Sequence, residues 1–142
     1  MSLEMLNRLN DICLFVSNIE RSVKFYTQKL GLKIKRRQPG YVEFNFHGAS
    51  VTLWQVDGVQ QAIPLEHLGN NGHHFMLAVR VPTLNDVDRI WEELSKKGVD
   101  FISLPETYLW GARATYFTDI EGNIWEVFAW EKDKGPGLIA SV

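Results

Sequence analysis

The feature that most constrains this chain is a duplication, because one order of elements is written twice along 142 residues. "DICLFVS", Asp11 to Ser17, has the alternation of a strand, and "SNIERSVKFYTQKLG" follows with Ser17 and Glu20 at the spacing of a capping box, which predicts a helix start. Ile19, Val23, Tyr26 and Leu30 recur at helical spacing, and Gly31 stands where a left-handed cap ends a helix. Three β-rich runs follow, "LKIKRR", "YVEFNF" and "SVTLWQV", separated by the turn signals "QPG" and "HGA". The first half therefore reads β-α-β-β-β. After "DGVQQAIPLEHLGNNG" the order recurs: a strand "HHFMLAVRV", a helix from Asn85 to Lys97, and strands near "DFIS", "ARATYFT" and "NIWEVFAW". Val87, Ile90, Trp91 and Leu94 are the apolar stripe of that helix, and Gly98 closes it. Landmarks keep comparable offsets, with Val16 to Val81 at 65, Gly31 to Gly98 at 67 and Gly48 to Gly122 at 74.

A duplicated unit of this kind has a physical consequence. Each half is a small curved sheet with a helix on one face, so the opposite face needs another cover, and two such faces brought together enclose a cleft. The predicted fold class is α+β: two tandem βαβββ modules forming curved mixed sheets around a cleft. One domain over 1–142 is expected, with module 1 at about 10–57, a linker at 58–72, module 2 at about 73–130 and a tail at 131–142. Strand alternation assigns the faces. Ile12, Leu14 and Val16 are expected to meet the first helix, leaving Asp11, Cys13 and Phe15 for the cleft. On the fifth strand Phe75, Leu77, Val79 and Val81 form the expected core row, and His74, Met76, Ala78 and Arg80 the cleft row, so His73 falls on the core side. On the last strand Trp125, Val127 and Ala129 pack inward, while Ile124, Glu126, Phe128 and Trp130 face the cleft. By the repeat, Thr52 takes the place of Glu126, flanked by Ser50 and Trp54.

Composition removes several functions. A formal net charge of -2 supplies no basic field for nucleic acid or anionic lipid, and the one basic cluster, Lys33 to Arg37, reads as the solvated side of a strand. A single cysteine, Cys13, rules out an intrachain disulfide and a Cys-rich zinc site and suggests a reducing compartment. No apolar run approaches the ~20 residues that span a bilayer, and the opening "MSLEMLNRLN" lacks a secretory apolar stretch. A cytoplasmic protein without nucleic-acid or membrane partners is expected.

"DICLFVSNIERSVKFYTQKLGLKI", "VTLWQ" and the later "GVDFISLPETYLWGARATYFTDIEGNIWEVF" resemble the vicinal oxygen chelate superfamily, which includes glyoxalase I, extradiol dioxygenases, fosfomycin-resistance enzymes and bleomycin-resistance proteins. The strongest part is "YFTDIEGNIWEV", similar to the family pattern aromatic-Phe-x-Asp-Pro-x-Gly-Asn-x-x-Glu, with Ile120 where Pro is usual. The resemblance implies where a metal is held: a His on the first strand of a half and a Glu, His or Gln on the last, with open positions where vicinal substrate oxygens meet a Lewis-acidic ion. Carried over, those places are Asp11, Thr52, His74 or Met76, and Glu126. Here Asp11 replaces a His and Thr52 a strong ligand. Counting from the histidines puts His74 at the ligand place, whereas counting back from Val81 puts Met76 there.

Each candidate carries two readings. Glu126, a carboxylate on an apolar strand, requires a metal, a cationic partner or a raised pKa, and Arg80 or Arg113 would serve as a structural counter-charge. His74, Glu126 and Asp11 together would suit Zn, Ni, Mn or Fe by ligand type. His74 reads otherwise as a strand-end residue, and Asp11 as the border of a turn. Cys13 reads as packing, since no cationic neighbour activates it. Phe15, Trp54, Trp110 and Phe128 line an aromatic pocket or else pack between sheets, with Met76 and Arg80 as further ligand contacts. Two functions stand side by side. One is binding of a small organic molecule in an aromatic cleft without an obligatory metal, as in the bleomycin-resistance branch. The other is a divalent-metal-dependent lyase, isomerase or dioxygenase with Glu126 as ligand or base. The resemblance also implies a homodimer.

Overall fold

The computed structural model of the protein describes residues 11–60, 62–63 and 75–134. Its contacts divide the chain into two compact units, Met1–Asn71 and Gly72–Val142. The first contains β1 (Asp11–Val16), α1 (Ile19–Lys24), β2 (Ile34–Gln38), β3 (Tyr41–Phe44), β4 (Ser50–Gln55) and the short α2 (Val56–Val59). Its sheet order is β1-β4-β3-β2, with β1 parallel to β4 and the other pairs antiparallel. A parallel pair needs a long crossover, and α1 with the β2-β3 hairpin supplies it. The second unit contains β5 (Leu77–Arg80), α3 (Leu84–Lys96), β6 (Asp100–Phe101), β7 (Glu106–Thr107), β8 (Ala112–Thr118) and β9 (Ile124–Trp130). The order is β5-β9-β8-β6, β7 also pairs with β8, and β5 is parallel to β9. Both units are thus mixed sheets in the element order expected from the repeat, with α2 added after the first and the two-residue β7 within the second.

The first helix begins one residue later than the expected capping box. Asn18, in extended conformation, is the cap, and its side chain accepts from the Arg21 backbone N–H at 3.2 Å. Glu20 does not close a box. Its carboxylate reaches instead to the Arg37 guanidinium on β2. The helix then widens into a π-helical turn, Phe25–Lys29, in which the Leu30 N–H bonds back to the Phe25 carbonyl at 3.3 Å. That widening lets the adjacent residues Phe25 and Tyr26 both turn inward, their rings meeting edge to face at 5.3 Å. Gly31 then ends the element at φ +73°, in the left-handed region foreseen for it.

On α3 the cap is a reciprocal box that the sequence reading did not pick out. The Thr83 hydroxyl accepts from the Asp86 N–H at 3.2 Å, and the Asp86 carboxylate accepts from the Thr83 N–H at 3.1 Å. Thr83→Ala is expected to lower stability by about 1 kcal/mol in urea unfolding. The hydrogen bond from the Thr83 hydroxyl, with that from its backbone and the Arg89 charge, holds the Asp86 carboxyl below its ordinary value of 3.8. A depressed carboxyl stabilises the fold above its unfolded value and loses that contribution as pH falls through the folded one. The gap between wild type and Asp86→Asn is therefore expected to close as pH drops below 3.8.

The fifth-strand core row needs correction. Leu77 is buried as expected, but Phe75 lies ahead of β5 and is 64% exposed, and Val79 is exposed as well. The cause is cover: α3 packs chiefly over β8 and β9, and among the described residues no counterpart of α2, which packs against the edge strand β1, lies against β5. Trp125, Val127 and Ala129 take the buried places beneath α3, as the alternation required.

Candidate functional site

In the first unit the face toward α1 is set by Leu14, Val42, Phe44 and Leu53, all buried, with Phe44 tilted against the Tyr26 ring at 5.4 Å. Alternation then puts two cross-strand rows on the opposite face. One row runs Cys13, Thr52, Glu43, Arg36, and the next runs Phe15, Trp54, Tyr41, Gln38. Asp11 stands two residues ahead of Cys13, beside Ser50, and is exposed. Thr52 is only 2% exposed. Burial pushes the Cys13 thiol up, against a hydrogen bond with Thr52 that works the other way, so the thiol holds its proton and is a poor nucleophile.

In the second unit the corresponding face carries Ala78, Glu126 and Tyr116 in one row and Arg80, Phe128 and Ala114 in the next, with Ile124 and Trp130 on either side. Phe128 and Trp130 meet edge to face at 6.3 Å. The Tyr116 hydroxyl donates to Glu126 Oε2 at 2.8 Å. Burial, followed by the hydrogen bond and negative charge of Glu126, pushes the Tyr116 hydroxyl up, so it remains a proton donor in ordinary buffers. Glu126 thus has a neutral donor, a partner outside the metal, cation and raised pKa that the sequence offered. Arg113, one cation considered for that role, points to the helix side and makes a two-pronged pair with Asp88 of α3, at 2.7 and 3.0 Å. Arg80 is on the face of Glu126, one row along beside Phe128.

The two parallel pairs bear on the register of the fifth strand. Cys13 sits opposite Thr52, and Ala78 sits opposite Glu126, so matching Thr52 to Glu126, as the repeat does, matches Cys13 to Ala78. On that match Met76 falls at the place of Asp11, each preceding its pair by two residues. His73 and His74 lie outside the described residues. Trp110 stacks on Tyr108 in the connection between β7 and β8, with ring centroids 4.6 Å apart and planes 6° apart. The expected aromatic set therefore includes a Phe15–Trp54 neighbour pair in one unit, with Phe128 and Trp110 in separate places in the other.

Three site residues were missed by sequence reasoning: Tyr116, Tyr41 and Glu43. Tyr116 was legible in principle. A hairpin folded about Glu121 puts residue 116 opposite residue 126, and the observed pairing is that one.

Comparison with known proteins adds the lineage. A family model described as Glyoxalase/Bleomycin resistance protein/Dioxygenase superfamily matches residues 8–127. The chain belongs to this superfamily. A crystal structure of a glyoxalase/bleomycin resistance protein/dioxygenase from Nocardioides is 34% identical, covers 93% of this chain and 89% of its own, and superposes with a TM-score of 0.81. The YraH protein of Bacillus subtilis is 28% identical over 127 residues, covering 85% of this chain and 97% of its own. The metallothiol transferase FosB of Staphylococcus haemolyticus is 24% identical over 119 residues, 84% of this chain and 81% of its own. The superfamily match reaches Glu126 and stops short of Phe128 and Trp130, so the acid lies in the shared part and these two aromatics beyond it. Among the described residues no helix is long and apolar enough to cross a membrane.

Proposed function

We propose that this member of the superfamily binds a small organic molecule on the aromatic, helix-distal surfaces of its sheets, without an obligatory metal. Phe15, Trp54 and Tyr41 would supply apolar contact in the first unit and Phe128 and Trp130 in the second, with Met76, Arg80 and Trp110 as further contacts. The supporting observation is the Tyr116–Glu126 bond. One carboxylate oxygen is held by a neutral hydroxyl, which fixes the side chain and leaves the other oxygen as an acceptor for a ligand N–H or O–H.

The described residues do not form a donor set that fits a divalent ion. Among them no group of three His, Cys, Asp or Glu side chains is placed to hold one. In its own row Glu126 is flanked by Ala78 and Tyr116. The second reading, a metal-dependent lyase, isomerase or dioxygenase using Glu126 with His74 and Asp11, draws on the similarity to a relative named as a metallothiol transferase. Elemental analysis of protein prepared without chelators, repeated on Glu126→Gln, separates the two. A stoichiometric first-row metal that disappears in Glu126→Gln, together with ligand binding, overturns the metal-free reading.

The binding reading has its own direct test. 2-Naphthamide, a neutral planar probe, is expected to quench tryptophan fluorescence saturably, with affinity falling about tenfold in Phe15→Ala or Phe128→Ala. Non-saturable quenching, or affinity unchanged in both variants, overturns it. A homodimer and a cytoplasmic location belong to the same proposal, and solution mass by light scattering decides the first.

A further inference from the structure

The basic run on β2 is divided between the two faces of its sheet, and a bulge does the dividing. Ile34 pairs with Phe44, Arg36 with Glu43 and Arg37 with Val42, so one extra residue, Lys35, is accommodated between Ile34 and Arg36. Arg37 turns to the helix side, where Glu20 neutralises it. Lys35 and Arg36 both turn to the other face and bracket one acid, Lys35 Nζ lying 3.5 Å from Glu43 Oε1 and Arg36 Nη2 3.4 Å from Oε2. In a regular strand without the bulge, strict alternation would send the two neighbouring cations to opposite faces. The Glu43 side chain is 14% exposed, while those of Lys35 and Arg36 are 59% and 61% exposed, so the acid is set low and the cations stand above it. The Tyr41 hydroxyl also donates to Glu43, at 3.3 Å, and the Arg36 guanidinium lies 5.7 Å from the centre of the Tyr41 ring. Two positive charges against one negative leave a net charge of +1 at the end of the row that adjoins Phe15, Trp54 and Tyr41.

We propose that the molecule bound on this face is a planar aromatic anion, whose ring lies on the Phe15–Trp54–Tyr41 row and whose carboxylate meets Lys35 and Arg36. The inference rests on the binding reading above and names its ligand class. Arg36 has five N–H donors, enough to serve Glu43 and a second carboxylate together.

The test compares 2-naphthoate with its neutral isostere 2-naphthamide, by tryptophan quenching at low salt. Wild type is expected to prefer naphthoate, and Lys35→Gln/Arg36→Gln is expected to reduce that preference by about fivefold while leaving naphthamide binding in place. Arg37→Gln removes a charge from the same strand on the opposite face and is expected to keep the preference. Equal affinity for both probes in wild type, a preference that survives the double substitution, or an equal loss in Arg37→Gln overturns the anion assignment. Failure of both probes to bind overturns the underlying binding reading instead.

Discussion

Phe44→Ala is expected to reduce the unfolding free energy by about 4 kcal/mol, read as a fall in the urea midpoint at unchanged slope. Phe44 has no exposed surface, and its ring meets that of Tyr26, which is equally buried in the π-helical turn. The substitution removes apolar surface from the centre of the first unit. It also leaves a void beside two elements that cannot close over it. Tyr26 is held between Phe25 and the helix turn, and β3 is hydrogen-bonded on both sides, to β2 and to β4. Phe44→Leu, which keeps most of the volume, should recover more than half of the loss. A cost for Phe44→Ala below about 1.5 kcal/mol would mean that this face of the sheet is not the core of the unit.

Asp119→Ala is the second large effect, at about 3 kcal/mol, and its mechanism is polar. The carboxylate is 5% exposed and accepts from the Glu121 and Asn123 backbone N–H groups at 2.9 and 2.8 Å and from the Asn123 side chain at 2.9 Å. Removing it strands these donors in the turn that joins β8 to β9. That turn fixes which residue of β8 faces which residue of β9, and so holds Tyr116 opposite Glu126. Asp119→Ala should therefore loosen the Tyr116–Glu126 pairing as well, read as faster amide hydrogen exchange along β8 and β9 than along β1 and β4. Exchange that is unchanged in β8 and β9 would separate the turn from this pairing.

This turn also explains how the family pattern was legible. "TDIEGN" is a structural signature: Asp119 binds the turn, Gly122 has φ +87°, and the Gly122 N–H closes on the Asp119 carbonyl at 3.1 Å. Ile120 occupies the second turn position, where proline is favoured but not required, so this departure from the pattern leaves the site untouched. Alternation gave the faces of β1, β4 and β9 correctly because each has one side under a helix and the signal is strong there. It failed at Phe75 and Val79, where α3 lies over the neighbouring strands and no second helix covers β5 as α2 covers β1. The partner of Glu126 was missed for a different reason. A buried carboxylate taken by itself calls for a metal, a cation or a raised pKa, and the sheet supplied a cross-strand tyrosine ten residues away in sequence. The bulge at Lys35 leaves no mark in composition or periodicity, so the two-faced distribution of the basic run emerged only from the pairing.

That bulge ties the charge of the sheet to the length of β2. Removing Lys35 while Arg36 to Gln38 keep their partners would restore a regular ladder, with Ile34 still opposite Phe44 and Arg36 left as the single cation beside Glu43. Relatives with one residue fewer in this segment would therefore keep the packing of this strand and lose the excess positive charge of this face through one event. An alignment that scores the gap as a minor length variant would conceal a change in what the sheet presents.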